Sequence, residues 1–394
     1  MRSWALRHAK PSRMNSTVNR ALESVLDKRR QESLYRTLQV HENLADFCSN
    51  DYLSFARLST TLEVAGDEGS PFLTGATGSR SISGNTRYAE ELEAMLARFH
   101  HAEAALLFNS GYDANLGLFS CIARKEDMLV CDELIHASII DGCRLSYAAR
   151  LRFAHNDIHD LEKKLRHARE RTAQAGEIWV AVESVYSMDG DMAPLKEIVA
   201  VCKKYGANLI VDEAHATGVF GRQGRGLVSH YGLEEEVFAR VHTFGKAIGC
   251  HGAVIVGSEV LRNYLINFAR SFIFTTALPM HSLVLIRAAY RRLMDDSFSH
   301  AFLHRLIEHF KKDFNSCGDI FLIDSNSPVQ SLVIPGNARA REVSAALQAR
   351  GFDVRAILSP SVAAGKERLR ISLHMHNTIK QVDALKEAIN QICR

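Results

Sequence analysis

Asn208-Leu209-Ile210-Val211-Asp212-Glu213-Ala214-His215-Ala216-Thr217-Gly218 is the stretch on which the reading of the fold turns. A short apolar run without polar alternation meets an acid and then a polar turn. That pattern predicts a strand covered on both faces, with its end opening into a loop. Five similar runs accompany it: Ala104–Phe108, Met128–Cys131, Ile178–Val182, Val241–Thr243 and Ala253–Val256. Helical patterns lie between them, which predicts α/β crossovers and a mainly parallel sheet. In such sheets ligands sit beyond the carboxyl ends of the strands, so the residues just after each run are the functional candidates.

Val241 leads into His242-Thr243-Phe244-Gly245-Lys246, and Lys246 lies 246 − 212 = 34 residues beyond Asp212. That spacing suits one helix and a return strand, which would open both residues on the same sheet edge. A pyridine-type electron sink needs a carboxylate to keep its ring nitrogen protonated. It also needs an amine of lowered pKa to form a Schiff base. Asp212 and Lys246 fit those roles, with His215 and Thr243 beside them. Ser110-Gly111-Tyr112 follows the first run and opens a helix whose amides would hold a phosphate, Gly111 allowing close approach. There is no Walker lysine motif and no Gly-x-Gly-x-x-Gly, which speaks against a nucleotide site. His136, after Met128–Cys131, stands where a ring could stack on a cofactor. Glu183, Ser187, Asp189 and Asp191 follow Ile178–Val182. Gly190 and Pro194 mark a turn there and no metal-ligand His is near, so no metal is expected.

Outward from this centre, residues 1–50 read as an N-terminal helical segment, with a charged helix over 18–38 and a short strand over 44–53. Residues 51–290 read as a large α/β domain that includes a Gly- and Ser-rich loop at 75–85. Ala89, Leu92, Leu96 and Phe99 share one face of the helix after that loop. Residues 291–394 read as a smaller α+β domain. It opens with a long amphipathic helix, then strands near 329–334 and 368–373, and helices at 339–350 and from about 378.

Bulk properties narrow the function classes. The 394 residues are 46% hydrophobic, enough for a large core, and the net charge of +3 is spread without a basic stripe. A nucleic-acid partner is therefore not expected. Eight cysteines are scattered without Cys-x-x-Cys pairs, which predicts free thiols, a reducing compartment and a cytoplasmic location. No apolar run nears the roughly 20 residues of a membrane span, and no secretory block opens the chain. Residues 1–22 contain Arg2, Arg7, Lys10, Arg13 and Arg20 but no acid. An organelle transit segment, a short basic helix and a start at Met14 all fit that pattern.

These motifs together resemble the α-oxoamine synthases. The matching stretches are Ser49-Asn50-Asp51-Tyr52-Leu53, Gly75-Ala76-Thr77-Gly78-Ser79-Arg80 and Ser187-Met188-Asp189-Gly190-Asp191. Val211 to His215, Thr243 to Lys246 and Arg368-Leu369-Arg370 complete the match, which spans about residues 20–392. The resemblance implies an aminotransferase-type PLP-dependent (pyridoxal 5'-phosphate) transferase fold and a homodimer with shared active sites. It implies that Lys246 carries PLP, Asp212 pairs with the ring nitrogen, His215 bonds the ring oxygen and His136 stacks on the ring. Gly111, Tyr112, Glu183, Ser187 and Thr243 would contact the cofactor, and Thr275 and Thr276 the phosphate of the other subunit. Arg370 would take the amino-acid carboxylate, and Arg36, Asn50 and Ser361 would meet substrate. The implied reaction joins L-alanine to a pimeloyl thioester, on CoA or acyl carrier protein, with loss of CO2, as in biotin synthesis. Leu358-Ser359-Pro360-Ser361-Val362-Ala363 departs from the Arg-Pro-Pro-Thr-Val-Pro of relatives, and Ser54 stands where Gly commonly follows the Asn-Asp-Tyr-Leu motif. The alternatives are therefore glycine with acetyl-CoA, serine or alanine with a longer acyl group, a generic aminotransferase, or a non-catalytic partner subunit.

Overall fold

The computed structural model describes residues 16–32, 34–38, 40, 43–57, 74–172, 176–312, 314 and 318–393. Every apolar run expected to be a strand is one. The strands are β1 (Ala45–Asp46), β2 (Ala104–Phe108), β3 (Met128–Asp132), β4 (Ala149–Phe153), β5 (Ile178–Glu183), β6 (Asn208–Asp212), β7 (Ala239–Thr243) and β8 (Ala253–Gly257). β2 to β8 form one sheet in the order β2-β8-β7-β6-β5-β3-β4. β4, β3, β5, β6 and β7 are parallel, and β8 runs against both β7 and β2.

The strands lack polar alternation because each one serves two cores. Val180 and Val182 of β5 pack with Leu161, Leu165 and Ile198 on one face. Trp179 and Ala181 point the other way, toward Leu118, Ile139 and Leu265. Each such buried aliphatic side chain contributes about 1.5–3 kcal/mol. The sequence reading missed β4. It is an edge strand in which Arg150 and Arg152 stay exposed while Phe153 is buried, so it shows no continuous apolar run.

The C-terminal part adds β9 (Phe321–Leu322), β10 (Val329–Val333), β11 (Phe352–Asp353), β12 (Arg355–Ile357) and β13 (Arg368–Ser372). An antiparallel sheet runs β12-β13-β10-β9, with helices Asn337–Ala349 and Ile379–Cys393 beside it. β11 pairs in parallel with β1, so the residues just before 50 dock onto the C-terminal part. No local pattern announces that pairing.

Two helix expectations need correction. The N-terminal helix spans Ser16–Gln31 and not 18–38, ending in Lys28, Arg29 and Arg30, which suit a helix C-terminus. The single helix expected after 290 is two, Met280–Met294 and Ala301–Lys311. Between them the Asp295 carboxylate accepts from the Ser297 amide at 2.8 Å, a local turn that competes with helix. We propose units of 51–290 and 291–394 around the two sheets, with helix Met280–Met294 bridging them. Among the described residues Cys48, Cys121, Cys131, Cys143, Cys202 and Cys250 are free thiols, and Cys131, Cys143 and Cys202 are buried. No helix among the described residues is long and apolar enough to cross a membrane.

After β5 the chain makes a hairpin closed by a bridge between Val185 and Met192. Its tip presses on the small sheet. Ser325 donates its hydroxyl to the Gly190 carbonyl at 2.7 Å. Gly190 has φ +76°, and a Cβ there would lie 2.1 Å from the Val329 carbonyl oxygen. Gly190→Ala is therefore expected to lower stability by about 1–3 kcal/mol, read as an earlier denaturation midpoint. An unchanged midpoint would show that the hairpin tip does not hold the two sheets together.

Candidate active site

Parallel pairing sets Glu183, Asp212 and Val241 side by side at one edge of the large sheet. Between Asp212 and Lys246 lie turns and the four-residue helix Leu227–His230, where a full helix was expected. The two strands are adjacent all the same, and both polar ends open on one cavity of about 220 Å3. Asn50, Gly111, Tyr112, His136, Glu183, Asp212, Thr243 and Lys246 line it, all of them residues singled out from the sequence.

Asp212 is buried and fixed from two sides. One oxygen accepts from the Ala214 amide at 2.8 Å and the other from Asn115 Nδ2 at 2.7 Å. Asn115 also donates to the Ser138 hydroxyl at 3.0 Å. Ser138 in turn lies 2.7 Å from Nδ1 of His136, the residue that caps helix Ala137–Leu145. The sequence reading missed Asn115. Its only signal was a polar residue one turn into a helix that starts at Gly111.

His215 and Lys246 sit in the same low-dielectric place. Burial first, then the positive charges of Lys246 and Arg370, hold His215 well below the ordinary 6.5, so its imidazole is uncharged. Burial lowers Lys246 as well, against the pull of Asp212 and Glu183. Burial and the Asp212 charge push Glu183 upward. His136 is lowered by burial, with Asp212 opposing.

A chain of hydrogen bonds leads from His215 to Arg370. His215 Nδ1 lies 2.8 Å from the Tyr52 hydroxyl, which meets Asn50 Oδ1 at 3.1 Å. Arg370 donates to Asn50 at 2.9 Å and to the Ser187 carbonyl at 2.7 Å. Tyr52, missed by the sequence reading outside its motif, therefore joins the site.

Several residues stand apart from the cavity. Ser187 acts here through its backbone carbonyl on Arg370. Thr275 accepts from Asn109 Nδ2 at 3.0 Å and lines a separate small cavity, while Thr276 offers its carbonyl to the same Asn109 at 2.8 Å. Arg36 and Ser361 lie 3.5 Å apart in a different cleft of about 820 Å3, which Met188 also lines. The acids after β5 take protein partners: Asp189 pairs with Arg368 and Asp191 with His155. Asp46, His374 and His376 converge within 4.8 Å, but Asp46 is already paired with Arg57 at 2.6 Å.

The cavity fits an aromatic, phosphate-bearing aldehyde on observations of its own. Glu183 Oε1 and Thr243 Oγ1 are buried without a hydrogen-bond partner, so polar groups of a ligand are due there. Gly111 opens helix Gly111–Ile122, and a Cβ on it would meet Thr243 Cγ2 at 2.4 Å. A helix N-terminus with no side chain in the way can accept a phosphate. An amine held below the ordinary lysine value, as Lys246 is, can condense with an aldehyde, and a fixed buried carboxylate can keep a ring nitrogen protonated.

Known proteins agree with this geometry. The family model of aminotransferase class I and II matches residues 42–389. An 8-amino-7-oxononanoate synthase of Emericella nidulans is 43% identical over 395 residues, covering 94% of this chain and 94% of its own. A serine palmitoyltransferase variant from S. paucimobilis, solved with PLP and myriocin bound, is 28% identical with a TM-score of 0.83. That match covers 97% of this chain and 98% of the other. The crystal structure of 8-amino-7-oxononanoate synthase from Francisella tularensis matches at 29% identity and a TM-score of 0.74, over 89% and 98% of the two chains.

Asn115→Leu removes the donor from both Asp212 and Ser138, leaving buried acceptors unmet. The cost is about 1–3 kcal/mol, so the variant is expected to lose PLP roughly ten-fold faster on dilution. PLP retention equal to that of the parent would mean that Asn115 does not hold Asp212 for the cofactor.

Proposed function

Because the chain belongs to the aminotransferase class I and II family, as an α-oxoamine synthase and PLP-dependent acyltransferase, we propose that it condenses L-alanine with a pimeloyl thioester to give 8-amino-7-oxononanoate. The observation that supports this most is one cavity lined by Lys246, Asp212, His136 and Asn50, with Asn50 accepting a hydrogen bond from Arg370. The 8-amino-7-oxononanoate synthases among its relatives support the substrate pair and a place in biotin synthesis.

In this reading Lys246 would hold PLP, Asp212 would keep its ring nitrogen protonated, and His215 and His136 would meet its ring. Gly111, Tyr112, Glu183 and Thr243 would complete the cofactor's contacts, while Ser187 serves Arg370 through its carbonyl. PLP, when bound, supplies an electron sink for the bonds at the amino-acid Cα. Arg370 pairs with the alanine carboxylate, which suits a forked guanidinium. Once the alanine amine has taken its place, Lys246 Nζ, held below the ordinary lysine value by burial, takes the proton from Cα. Cα then bonds to the thioester carbonyl carbon and the thiolate leaves. The alanine carboxyl departs as CO2, and Lys246 returns a proton to Cα. Arg36 and Ser361 meet the acyl partner in their cleft. The enzyme works as a homodimer, in which Thr275 and Thr276 serve the partner subunit's phosphate.

A second reading rests on a specific observation. Leu358 to Ser361, the segment that departs from relatives, lines the cleft of about 820 Å3, and a serine palmitoyltransferase is a structural neighbour. A longer acyl chain would suit that space. Alanine, glycine and serine offered with pimeloyl and palmitoyl thioesters, with products identified by mass, separate the two. The expected product is 8-amino-7-oxononanoate from alanine and the pimeloyl thioester. Condensation only with the palmitoyl thioester would replace this proposal with the second reading.

A further inference from the structure

His155 lies in the turn after β4 and lines neither the cavity of Lys246 nor the cleft of Arg36. Its ring is clamped between two carboxylates, Nδ1 at 3.0 Å from Asp132 and Nε2 at 2.7 Å from Asp191. Tyr186 stands edge-on to it at 4.4 Å. Asn156, next in the chain, repeats the grip, its amide on Asp132 at 2.9 Å and its side chain on Asp191 at 2.8 Å. The His155 amide donates to Glu133 at 3.1 Å. Asp132 ends β3 and Asp191 belongs to the hairpin, so the ring ties the large sheet to the hairpin.

The other side of the hairpin faces the substrate arginine. Arg370 donates to the Ser187 carbonyl at 2.7 Å, and Ser331 of β10 donates its hydroxyl to the Met188 carbonyl. Arg368, two residues before Arg370 on β13, pairs with Asp189. Ser187 is thus one of the partners of the Arg370 guanidinium, beside Asn50 and Ser372, and the hairpin that carries it is bonded to His155 through Asp191.

We propose that His155 is a positioning residue: as an imidazolium between Asp132 and Asp191 it latches the 185–192 hairpin, so that the Ser187 carbonyl aims Arg370 at the amino-acid carboxylate. This rests on the proposed role of Arg370. The charges facing the ring are Asp132 from β3, Asp191 from the hairpin and Glu133 near its own amide, with the neutral phenol of Tyr186 alongside. Burial opposes the imidazolium, but the hydrogen bonds to Asp132 and Asp191 outweigh it and raise His155 to about 9. A raised value means that the latch is complete below the ordinary histidine value of 6.5 and is lost as pH rises through about 9.

The test titrates alanine into PLP-loaded protein and reads its dissociation constant from the cofactor absorbance, from pH 7 up through about 9. His155→Gln is expected to weaken alanine binding roughly ten-fold at pH 7, since small misplacements of a clamp cost that much or more. The ratio of variant to parent should shrink above about 9, where the parent loses the same charge. Asp191→Asn, which keeps the Asp132 contact, should shift the constant the same way by less, and it carries the test if His155→Gln does not fold. Histidine NMR of the cofactor-free protein should show His155 still protonated well above 6.5. An alanine constant unchanged in the variants, a ratio flat with pH, or ordinary titration of His155 overturns the latch. If the parent's absorbance responds to none of alanine, glycine or serine, the proposed function fails instead.

Discussion

Lys246 is half-buried beyond β7, where loss of water works against its charge while Asp212 and Glu183 work for it. An isolated buried ammonium would be too costly to keep, and an exposed one would stay protonated and inert. The balance of burial against two carboxylates is what makes the amine usable. It exists only because β5, β6 and β7 are adjacent and parallel, which puts Glu183, Asp212 and the turn after Thr243 at one edge. The sheet in turn requires helices on both faces, since alternate residues of each strand feed separate cores.

The small sheet enters the site through Arg370 on β13. Its guanidinium is spread over Asn50, Ser187 and Ser372, which come from three distant parts of the chain. Asn50 belongs to the segment just after β1, and β1 pairs with β11. The N-terminal strand, the hairpin after β5 and the C-terminal sheet thus converge on one cation. In the proposed reaction, substrate recognition is built at this junction and the cofactor site within the large sheet.

Much of the centre could be read from the chain. Asp212, His215 and Lys246 follow apolar runs, and strand-end position together with the 34-residue spacing of an acid and a lysine marked them as candidates. Readability failed where the governing contact is distant. Asn115 looks like any helix residue until its amide is seen 2.7 Å from Asp212. β4 hid because Arg150 and Arg152 face solvent at a sheet edge. β1 and β11 are two residues long and owe their existence to each other. Helix ends were misjudged at Gln31 and Met294, where basic residues in the last turn and a local Asp turn decide and apolar periodicity does not.

The central claim is that Lys246, and no other lysine, carries the cofactor, and chemical trapping tests it directly. PLP-loaded protein is reduced with borohydride, digested and sequenced by mass spectrometry. The account expects the pyridoxyl mass on the peptide that contains Thr243-Phe244-Gly245-Lys246. The same mass on a peptide without Lys246, or none bound at all, would contradict it.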